Sequence, residues 1–306
     1  MTNLLGLFLS TFRRNERDVI DLYNSFSRLM QITSGGNMLN FGYWDDNTQT
    51  PLQAQYTLSA MTGEFASLQS AKTLIDVGSG YSTPALQWNS QYSSLDILCI
   101  NINLQQLKIA VAGSATRSNN QKTDQSISSP SINSSKSNNI SHLNATSTML
   151  PVRNNSTDRV IAFESAQHFK PLIHFIQESN RVLKRSGLLV IAMPVITTSF
   201  NLLSLPLFIK LGILSVTWAS EHYKLEYVKS MVSTHDFQII DIKYIGPNVY
   251  GPLARYYIEN REKLKSKVVR EYPKLLETIL YKSLLKMKDA SYQGVIDYIL
   301  LKAQKI

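Results

Sequence analysis

The chain has 306 residues and 43% hydrophobic content, which is enough for one main globular domain with additions. Its single cysteine, Cys99, excludes an intrachain disulfide and favours a reducing compartment, and its five histidines show no metal-ligand spacing, so we expect no metal site. The net charge is +9, and residues 253–306 carry 12 Lys/Arg against 6 Asp/Glu. We interpret this basic region mainly as a solvated helix face. Contact with an anionic membrane surface is the alternative, and no recognised motif supports nucleic acid as a partner.

Residues 1–70 are predicted to form a helical cap. An apolar run at 4–9 is followed, not preceded, by Arg13 and Arg14, which argues against a signal peptide and favours the start of a cap helix or a weak membrane-surface contact. Apolar residues at helical spacing then predict helices over 15–30 and 51–68. No run approaches the roughly 18 apolar residues of a membrane span. We therefore expect a cytoplasmic protein, with a peripheral membrane location as the alternative.

A buried strand at 73–77 is predicted to lead through a glycine-containing loop into a helix. The strand is apolar and β-branched, and Asp76 lies near its end. Gly78 and Gly80 permit positive φ and a close approach of the backbone to a ligand, and the N-terminus of the helix offers free N–H groups. Thr83 stands where the dinucleotide fingerprint has its third glycine, so a dinucleotide is not indicated. The spacing alone leaves open a ligand-binding loop and an ordinary strand-to-helix connection.

The rest of the chain alternates strands with helices, apart from one polar segment. Ser, Asn and Thr occupy 21 of the 36 positions from 114 to 149, a composition too polar to offset the entropy of ordering. We therefore expect a disordered loop over about 115–138. The other predicted elements are a strand at 95–101, a short helix at 104–112, strands at 140–144 and 158–163, a helix at 170–184, a strand at 187–193, an apolar lid at 200–218, a helix at 224–234, a strand at 237–245, basic helices over 252–288 and a closing strand at 297–303.

Several motifs occur in order along the chain. They are Asn40-Phe41-Gly42-Tyr43-Trp44, Asp76-Val77-Gly78-Ser79-Gly80, Ile100-Asn101-Ile102-Asn103-Leu104-Gln105-Gln106-Leu107, Leu150-Pro151, Glu164-Ser165-Ala166-Gln167-His168 and Arg181-Val182-Leu183-Lys184. Each is weak alone. The ordered set resembles class I S-adenosylmethionine-dependent methyltransferases, in particular the small-molecule enzymes related to sterol, tocopherol and polyketide methyltransferases. The resemblance covers most of residues 37–303.

This resemblance implies an α/β fold. We expect a Rossmann-like, seven-stranded, mostly parallel sheet with helices on both faces, an antiparallel last strand beside the fifth, and helical caps at both ends of the chain. The expected organisation is an N-terminal helical cap over 1–70, a methyltransferase core over 71–251 that contains the polar loop, and a helical insertion with the closing strand over 252–306.

The resemblance also implies S-adenosylmethionine as cofactor and assigns residues to it. The loop residues Gly78, Ser79 and Gly80, with Asp76 before them, are expected around its methionine part, and Asn101 and Gln106 near the ribose hydroxyls. The adenine contact has two registers, Asn144-Ala145 or Thr146-Ser147, and both lack the family's Asp. Tyr43 and Trp44 are expected either to wall the cofactor or substrate or to pack in the core.

The expected reaction is methyl transfer to oxygen or carbon of a small acceptor. His168 is the candidate base, with helix capping or packing as the alternative. Glu164 is expected to contact the cofactor or to orient His168. The apolar stretch over 200–218 favours an apolar acceptor, and it also fits a buried lid core. The alternative function is an inactive methyltransferase-fold binding or scaffold protein, motivated by the missing adenine-side Asp. The oligomeric state is left open.

Overall fold

A seven-stranded sheet forms the centre of the computed structural model, which describes residues 15–123, 139–197 and 221–306. The strands are β1 (Thr73–Val77), β2 (Asp96–Asn101), β3 (Ile140–Asn144), β4 (Thr157–Phe163), β5 (Leu183–Ile196), β6 (Phe237–Tyr244) and β7 (Ile296–Lys305). Their order across the sheet is β3-β2-β1-β4-β5-β7-β6. Strands β1 to β5 pair in parallel, and β7 is antiparallel to both β5 and β6. The predicted fold class is confirmed.

Helices cover both faces of this sheet. They are α1 (Glu16–Ser34), α2 (Pro51–Phe65), α3 (Thr83–Gln91), α4 (Leu104–Thr123), α5 (Leu172–Val182), α6 (Leu225–Ser233), α7 (Gly246–Glu259), α8 (Arg261–Glu271) and α9 (Lys274–Tyr292). None of the helices in the described ranges combines the length and apolarity that a membrane crossing needs.

The helix after β2 is longer than the sequence pattern indicates. We predict a short helix over 104–112 and a disordered loop from about 115, whereas α4 continues to Thr123. The prediction was therefore wrong for 115–123. Good helix formers at Lys108, Ala110 and Ala112 favour a helix in this segment, which the sequence pattern alone did not extend past 112. The remainder of the predicted loop, 124–138, lies outside the described residues.

Two local signals explain where α1 begins and ends. The Asn15 side chain accepts a hydrogen bond from the Asp18 N–H at 2.9 Å, and the Asp18 carboxylate accepts one from the Asn15 N–H at 3.2 Å. This capping box satisfies two backbone donors that the helix leaves unpaired. Gly35 ends the helix in the left-handed conformation, with φ of +87°, and its N–H bonds to the Gln31 carbonyl.

The core has one apolar layer on each face of the sheet. Leu74 and the buried Trp88 of α3 belong to the layer that α2, α3, α7, α8 and α9 cover. Ile75 and Val77 belong to the opposite layer, with Phe175 of α5 and Val228 of α6. Because successive strand side chains point to opposite faces, β1 is apolar on both.

The strand order places a crevice at the carboxyl end of β1. From β1 the sheet continues to β2 on one side and to β4 on the other. The loops that follow these strands therefore leave in opposite directions, and ligands of open α/β sheets bind at such a switch point. On the far side of the sheet, α7 already begins at Gly246, so helical structure starts before the predicted insertion boundary at 252. The division of the chain into cap, core and insertion stays a prediction.

Candidate active site

A cavity of about 530 Å³ opens at the carboxyl ends of β1, β2 and β4, and α1 lies across it. This volume is within the range of roughly 300–1,000 Å³ that small-molecule sites occupy. It is lined by residues of α1 and its cap (Asn15, Glu16, Arg17, Val19, Ile20, Tyr23), of 37–40 (Asn37, Leu39, Asn40), of 77–84 (Val77, Gly78, Ser79, Gly80, Tyr81, Thr83, Pro84), of 100–106 (Ile100, Asn101, Ile102, Asn103, Gln106), of 145–147 (Ala145, Ser147) and of 163–170 (Phe163, Glu164, Ser165, His168, Phe169, Lys170).

The loop after β1 depends on its two glycines for different reasons. Gly80 has φ of +56°, and a Cβ built there meets no atom within 4 Å, so the loop leaves open space at this position. Gly78 has φ of +81°, and its Cβ would lie 2.3 Å from the Ser165 Cβ. Ser165 in turn donates its hydroxyl to the Val77 carbonyl at 2.5 Å. Gly78 thus allows the β4 connection to pack against the loop, and Gly80 keeps space free for a ligand.

Asp76 lies behind the loop and does not line the cavity. It is paired with Cys99 of β2, and it is only 2% exposed. Because strand side chains alternate, Asp76 points to the face opposite Val77, which does line the cavity. Burial raises the pKa of Asp76 to about 7. The structure therefore does not bring this predicted cofactor residue to the site.

The predicted ribose residues do meet in the cavity. The Asn101 amide donates to Gln106 Oε1 at 2.9 Å and to the Gly80 carbonyl at 3.3 Å. Asn103, which the motif contained but which we did not single out, accepts hydrogen bonds from the Gln105 and Gln106 N–H groups at the start of α4. Its helix-capping position was the available signal. The end of β2 is thus a fixed polar wall of three amide side chains.

Only some of the residues predicted to contact the adenine lie in the cavity. Asn144 is not among the lining residues, and its amide donates to the Asn101 and Ile102 carbonyls at 2.8 and 2.9 Å. Asn144 therefore secures the connection after β2. Ala145 from the first register and Ser147 from the second both line the cavity.

Tyr43 and Trp44 lie away from the cavity. The Tyr43 N–H donates to the Ala54 carbonyl and the Trp44 N–H to the Asn248 carbonyl, both at 2.9 Å. The buried Trp44 ring packs against Tyr256 of α7 with a centroid separation of 5.7 Å. These residues join α2 to α7, so the structure supports their core-packing interpretation.

Glu164 ties two distant segments together. Its backbone has φ of +51°. Its carboxylate oxygens accept the Phe41 N–H at 2.8 and 2.9 Å, and Oε1 also accepts the Tyr298 hydroxyl of β7 at 2.9 Å. Burial raises the pKa of Glu164 to about 8, although these hydrogen bonds act in the opposite direction. The residue lines the cavity and fixes the 38–43 segment against β7.

His168 forms a pair with Tyr23 of α1 inside the cavity. The Tyr23 hydroxyl lies 3.0 Å from His168 Nε2, and the two rings meet edge-on with centroids 5.5 Å apart. Burial, and secondarily the charge of Glu164, raises the pKa of the Tyr23 phenol, which therefore stays protonated at neutral pH. Sequence reasoning placed Tyr23 only on the apolar face of a helix. Its partner is 145 positions away, and no local pattern indicates the pair.

The profile of a family described as "Methyltransferase domain" matches residues 75–191, which include the glycine loop, the amide wall and His168. Residues 75–191 form a methyltransferase domain. The prediction of a methyltransferase is thereby confirmed for this domain.

The names of two curated relatives of the methyltransferase domain describe methyl transfer to small molecules. Erythromycin 3''-O-methyltransferase of Saccharopolyspora erythraea is 25% identical over 169 residues, covering 55% of this chain and 50% of that protein. The 27-O-demethylrifamycin SV methyltransferase of Amycolatopsis mediterranei is 25% identical over 169 residues, covering 55% of each. The chain spans about half the length of the curated relatives it matches.

Solved structures of similar fold extend over nearly the whole chain. Mycolic acid cyclopropane synthase CmaA1, complexed with SAH and CTAB, has a TM-score of 0.73 and 15% identity, covering 94% of this chain and 95% of that chain. At this identity the likeness shows the fold alone.

The cavity of the methyltransferase domain fits the predicted cofactor, S-adenosylmethionine, which the family match supports. Open space at Gly80 leaves room beside the loop, and the amides of Asn101 and Gln106 can both donate and accept hydrogen bonds to hydroxyls. In the described part of the chain, no group of His, Cys, Asp or Glu side chains is placed to hold a metal ion. The predicted lid at 200–218 lies outside the described residues.

Proposed function

We propose that this protein transfers a methyl group from S-adenosylmethionine to a hydroxyl oxygen of a small, largely apolar acceptor. The observation that carries this proposal is the Tyr23–His168 pair, with 3.0 Å between hydroxyl and Nε2, in the same cavity as the Gly78–Gly80 loop. One space thus offers a cofactor loop and a proton acceptor together. We also propose a cytoplasmic location, with a peripheral membrane contact as the alternative.

The glycine loop and the amide wall are proposed to hold the cofactor. Ser79 and Gly80 would border its methionine part, and Asn101 with Gln106 would bind the ribose hydroxyls, while Ala145 and Ser147 would flank the adenine. When bound, S-adenosylmethionine supplies the electrophilic methyl group that the acceptor oxygen receives. Holding acceptor and methyl group in line, with water excluded, is the main contribution such a site makes to the rate.

His168 is the proposed general base. Because the Tyr23 phenol stays protonated, it can donate to Nε2 when the imidazole carries its proton on Nδ1. An acceptor hydroxyl that takes the place of Tyr23 at Nε2 is then aligned to give its proton to the ring as the new carbon–oxygen bond forms. Tyr23 keeps the imidazole in this tautomer and orientation between turnovers.

Glu164 is proposed as a positioning residue. Its carboxyl group accepts hydrogen bonds from Phe41 and Tyr298, so Glu164 is held in place in the cavity wall and is not proposed as a second base. The carboxyl group holds the 38–43 segment, which supplies Leu39 and Asn40 to the cavity.

The apolar wall of the cavity supports an apolar acceptor. Val19, Ile20, Leu39 and Phe169 contribute aliphatic and aromatic surface there. Pockets for small molecules are predominantly apolar with a few placed polar groups, and this wall with the Tyr23–His168 pair has that composition. Oxygen is proposed over carbon because the named curated relative from Saccharopolyspora erythraea is an O-methyltransferase.

The test is methyl transfer from methyl-labelled S-adenosylmethionine to a panel of hydroxylated apolar molecules. We expect one S-adenosylhomocysteine per labelled product and no labelling of the methyl ether of an active acceptor. Labelling of that ether would place the methyl on carbon. Saturable binding of S-adenosylhomocysteine by calorimetry without transfer to any acceptor would instead favour the binding-protein alternative.

A further inference from the structure

A second concave surface lies beside the cavity, between the C-terminal end of α1 and α8. This basic groove has a volume of about 390 Å³. Asn37 lines both the groove and the cavity, so the two spaces are neighbours. The groove is lined by Arg28, Gln31, Ile32, Gly35, Gly36, Asn37, Lys267, Arg270 and Glu271.

The groove has an excess of positive charge. Three cations, Arg28, Lys267 and Arg270, face one carboxylate, Glu271. Arg28 donates to that carboxylate from two nitrogens, at 3.0 and 2.9 Å, so the Glu271 charge is already compensated. Within the described ranges Lys267 and Arg270 have no ion-pair partner, and both are exposed. Among the residues that the structure describes, two cations in the groove are therefore left without an ion-pair partner.

Contacts of α8 with α1, and of the 35–37 turn with α1 and α2, fix the backbone around these cations. The Tyr272 hydroxyl donates to the Ser25 carbonyl at 3.0 Å, which secures the end of α8 on α1. The Gln31 amide donates to Asn37 Oδ1 at 3.1 Å, so the Asn37 amide nitrogen keeps its own donors. At Gly36 a Cβ would lie 2.5 Å from Leu52, so this turn is packed closely on α2. The groove is thus a built concavity and not a row of lysines on a convex helix.

We infer that the basic groove binds an anionic group, a phosphate or carboxylate, that the acceptor carries at the end away from its methylated oxygen. This inference rests on the proposed function, because it requires an acceptor that reaches from the cavity past Asn37. Lys267 and Arg270 would supply charge-assisted hydrogen bonds to the anion, and Arg28 would join them from the Glu271 pair. The acceptor class is then an amphiphile with an apolar body in the cavity.

The first experiment uses inorganic phosphate as the probe, followed by NMR chemical shifts of the full chain. We expect saturable shifts at residues of the basic groove and at least about tenfold weaker binding in the variant Lys267→Glu/Arg270→Glu, since each charge-assisted bond contributes strongly. The matched control is Lys274→Glu/Lys282→Glu, which makes the same charge change on exposed α9 residues outside the groove. This control should bind phosphate as the wild type does.

Two further arms separate the possible outcomes. Calorimetry with S-adenosylhomocysteine tests the proposed function alone, and we expect equal affinity in both charge-reversal variants. Phosphate binding at the groove without any cofactor binding would contradict the proposed function. The groove would then be an anion site only, and the acceptor inference would be overturned as well. Absent phosphate binding with intact cofactor binding would overturn the groove alone.

The last arm asks whether the anion source is a lipid surface. Sedimentation with phosphatidylcholine vesicles that contain phosphatidylglycerol should not capture the protein more than phosphatidylcholine alone. The contrary result is that the anionic vesicles capture the wild type but neither charge-reversal variant, and that inorganic phosphate shifts no signal. It would show that the basic helices bind a surface and that the groove does not bind a single anion.

Discussion

The proposed cofactor side of the cavity is built from residues close together in sequence, whereas the proposed acceptor side is assembled from distant segments. Gly78, Gly80, Asn101 and Gln106 lie at or just after the ends of two adjacent strands. The acceptor side brings together Tyr23 of α1, Leu39 and His168. The difference indicates that cofactor geometry is fixed by strand ends of the sheet, while acceptor geometry depends on how α1 and the 38–43 segment dock. Changes on the two sides should therefore separate binding from turnover.

The largest expected effect is that of His168→Ala, on the acceptor side of the cavity. Removing the proposed base should lower kcat by about 10²–10⁴-fold, the usual contribution of a positioned general base. Calorimetric affinity for S-adenosylhomocysteine should stay unchanged, because His168 lies on the acceptor side. His174→Ala, at an exposed position of α5, is the control. A kcat within twofold of the wild type would remove His168 from the reaction.

Gly80→Val should affect the cofactor side of the cavity instead. A side chain at this position enters open space beside the loop, so we expect cofactor affinity to fall by at least about 100-fold through steric blockade. Gly294→Val is the matched control, because Gly294 also has positive φ, +65°, and open space but is remote from the cavity. The control carries the same backbone strain, so any loss common to both variants reports folding. Retained affinity in Gly80→Val would refute the loop assignment.

Tyr23→Phe should have a smaller effect within the acceptor side. It removes the hydroxyl that orients the imidazole and keeps the ring, so we expect kcat to fall about tenfold, within the range of a lost hydrogen bond to a group that can carry charge. The pH profile of kcat should shift as well, which a purely structural role for Tyr23 would not produce. Tyr56→Phe, on the exposed face of α2, should change neither.

Glu164→Gln gives the mildest expected change, in stability. The pKa of Glu164 is raised by burial to about 8 from the model-peptide value of about 4.3, so the folded state holds a proton that the unfolded state releases. Its contribution to the free energy of unfolding is therefore full below about pH 4.3 and is lost as the pH rises through about 8. We expect the wild-type thermal midpoint to decrease over this window and the Gln variant to show a shallower decrease. Parallel curves for the two proteins would show that Glu164 does not carry a raised pKa.

The sheet was predictable because its signals are local. Strand β1 has the bounds that its apolar pattern predicts, and β3 has the bounds predicted at the place where the resembled family has its third strand. The ordered motifs also indicated a methyltransferase, which the family match confirms for residues 75–191. The site was less predictable. Asp76 and Tyr43 match family motifs, yet strand alternation turns Asp76 to the other face and α2 contacts hold Tyr43 in the core. Tyr23 and the basic groove depend on tertiary docking of α1, and a single sequence has no signal for that.

One consequence concerns the order in which the molecule folds. In the described sheet β6 has one neighbour, β7, and β7 is separated from its other partner, β5, by about a hundred residues. Such non-local pairing is slow to form, because chain entropy is lost before the contacts are gained. Tyr298 of β7 also holds Glu164 in the cavity wall. Because β7 both pairs with β5 and holds Glu164, we expect cofactor-dependent fluorescence to recover during refolding only with the slow phase in which the β6 and β7 amides gain protection from hydrogen exchange.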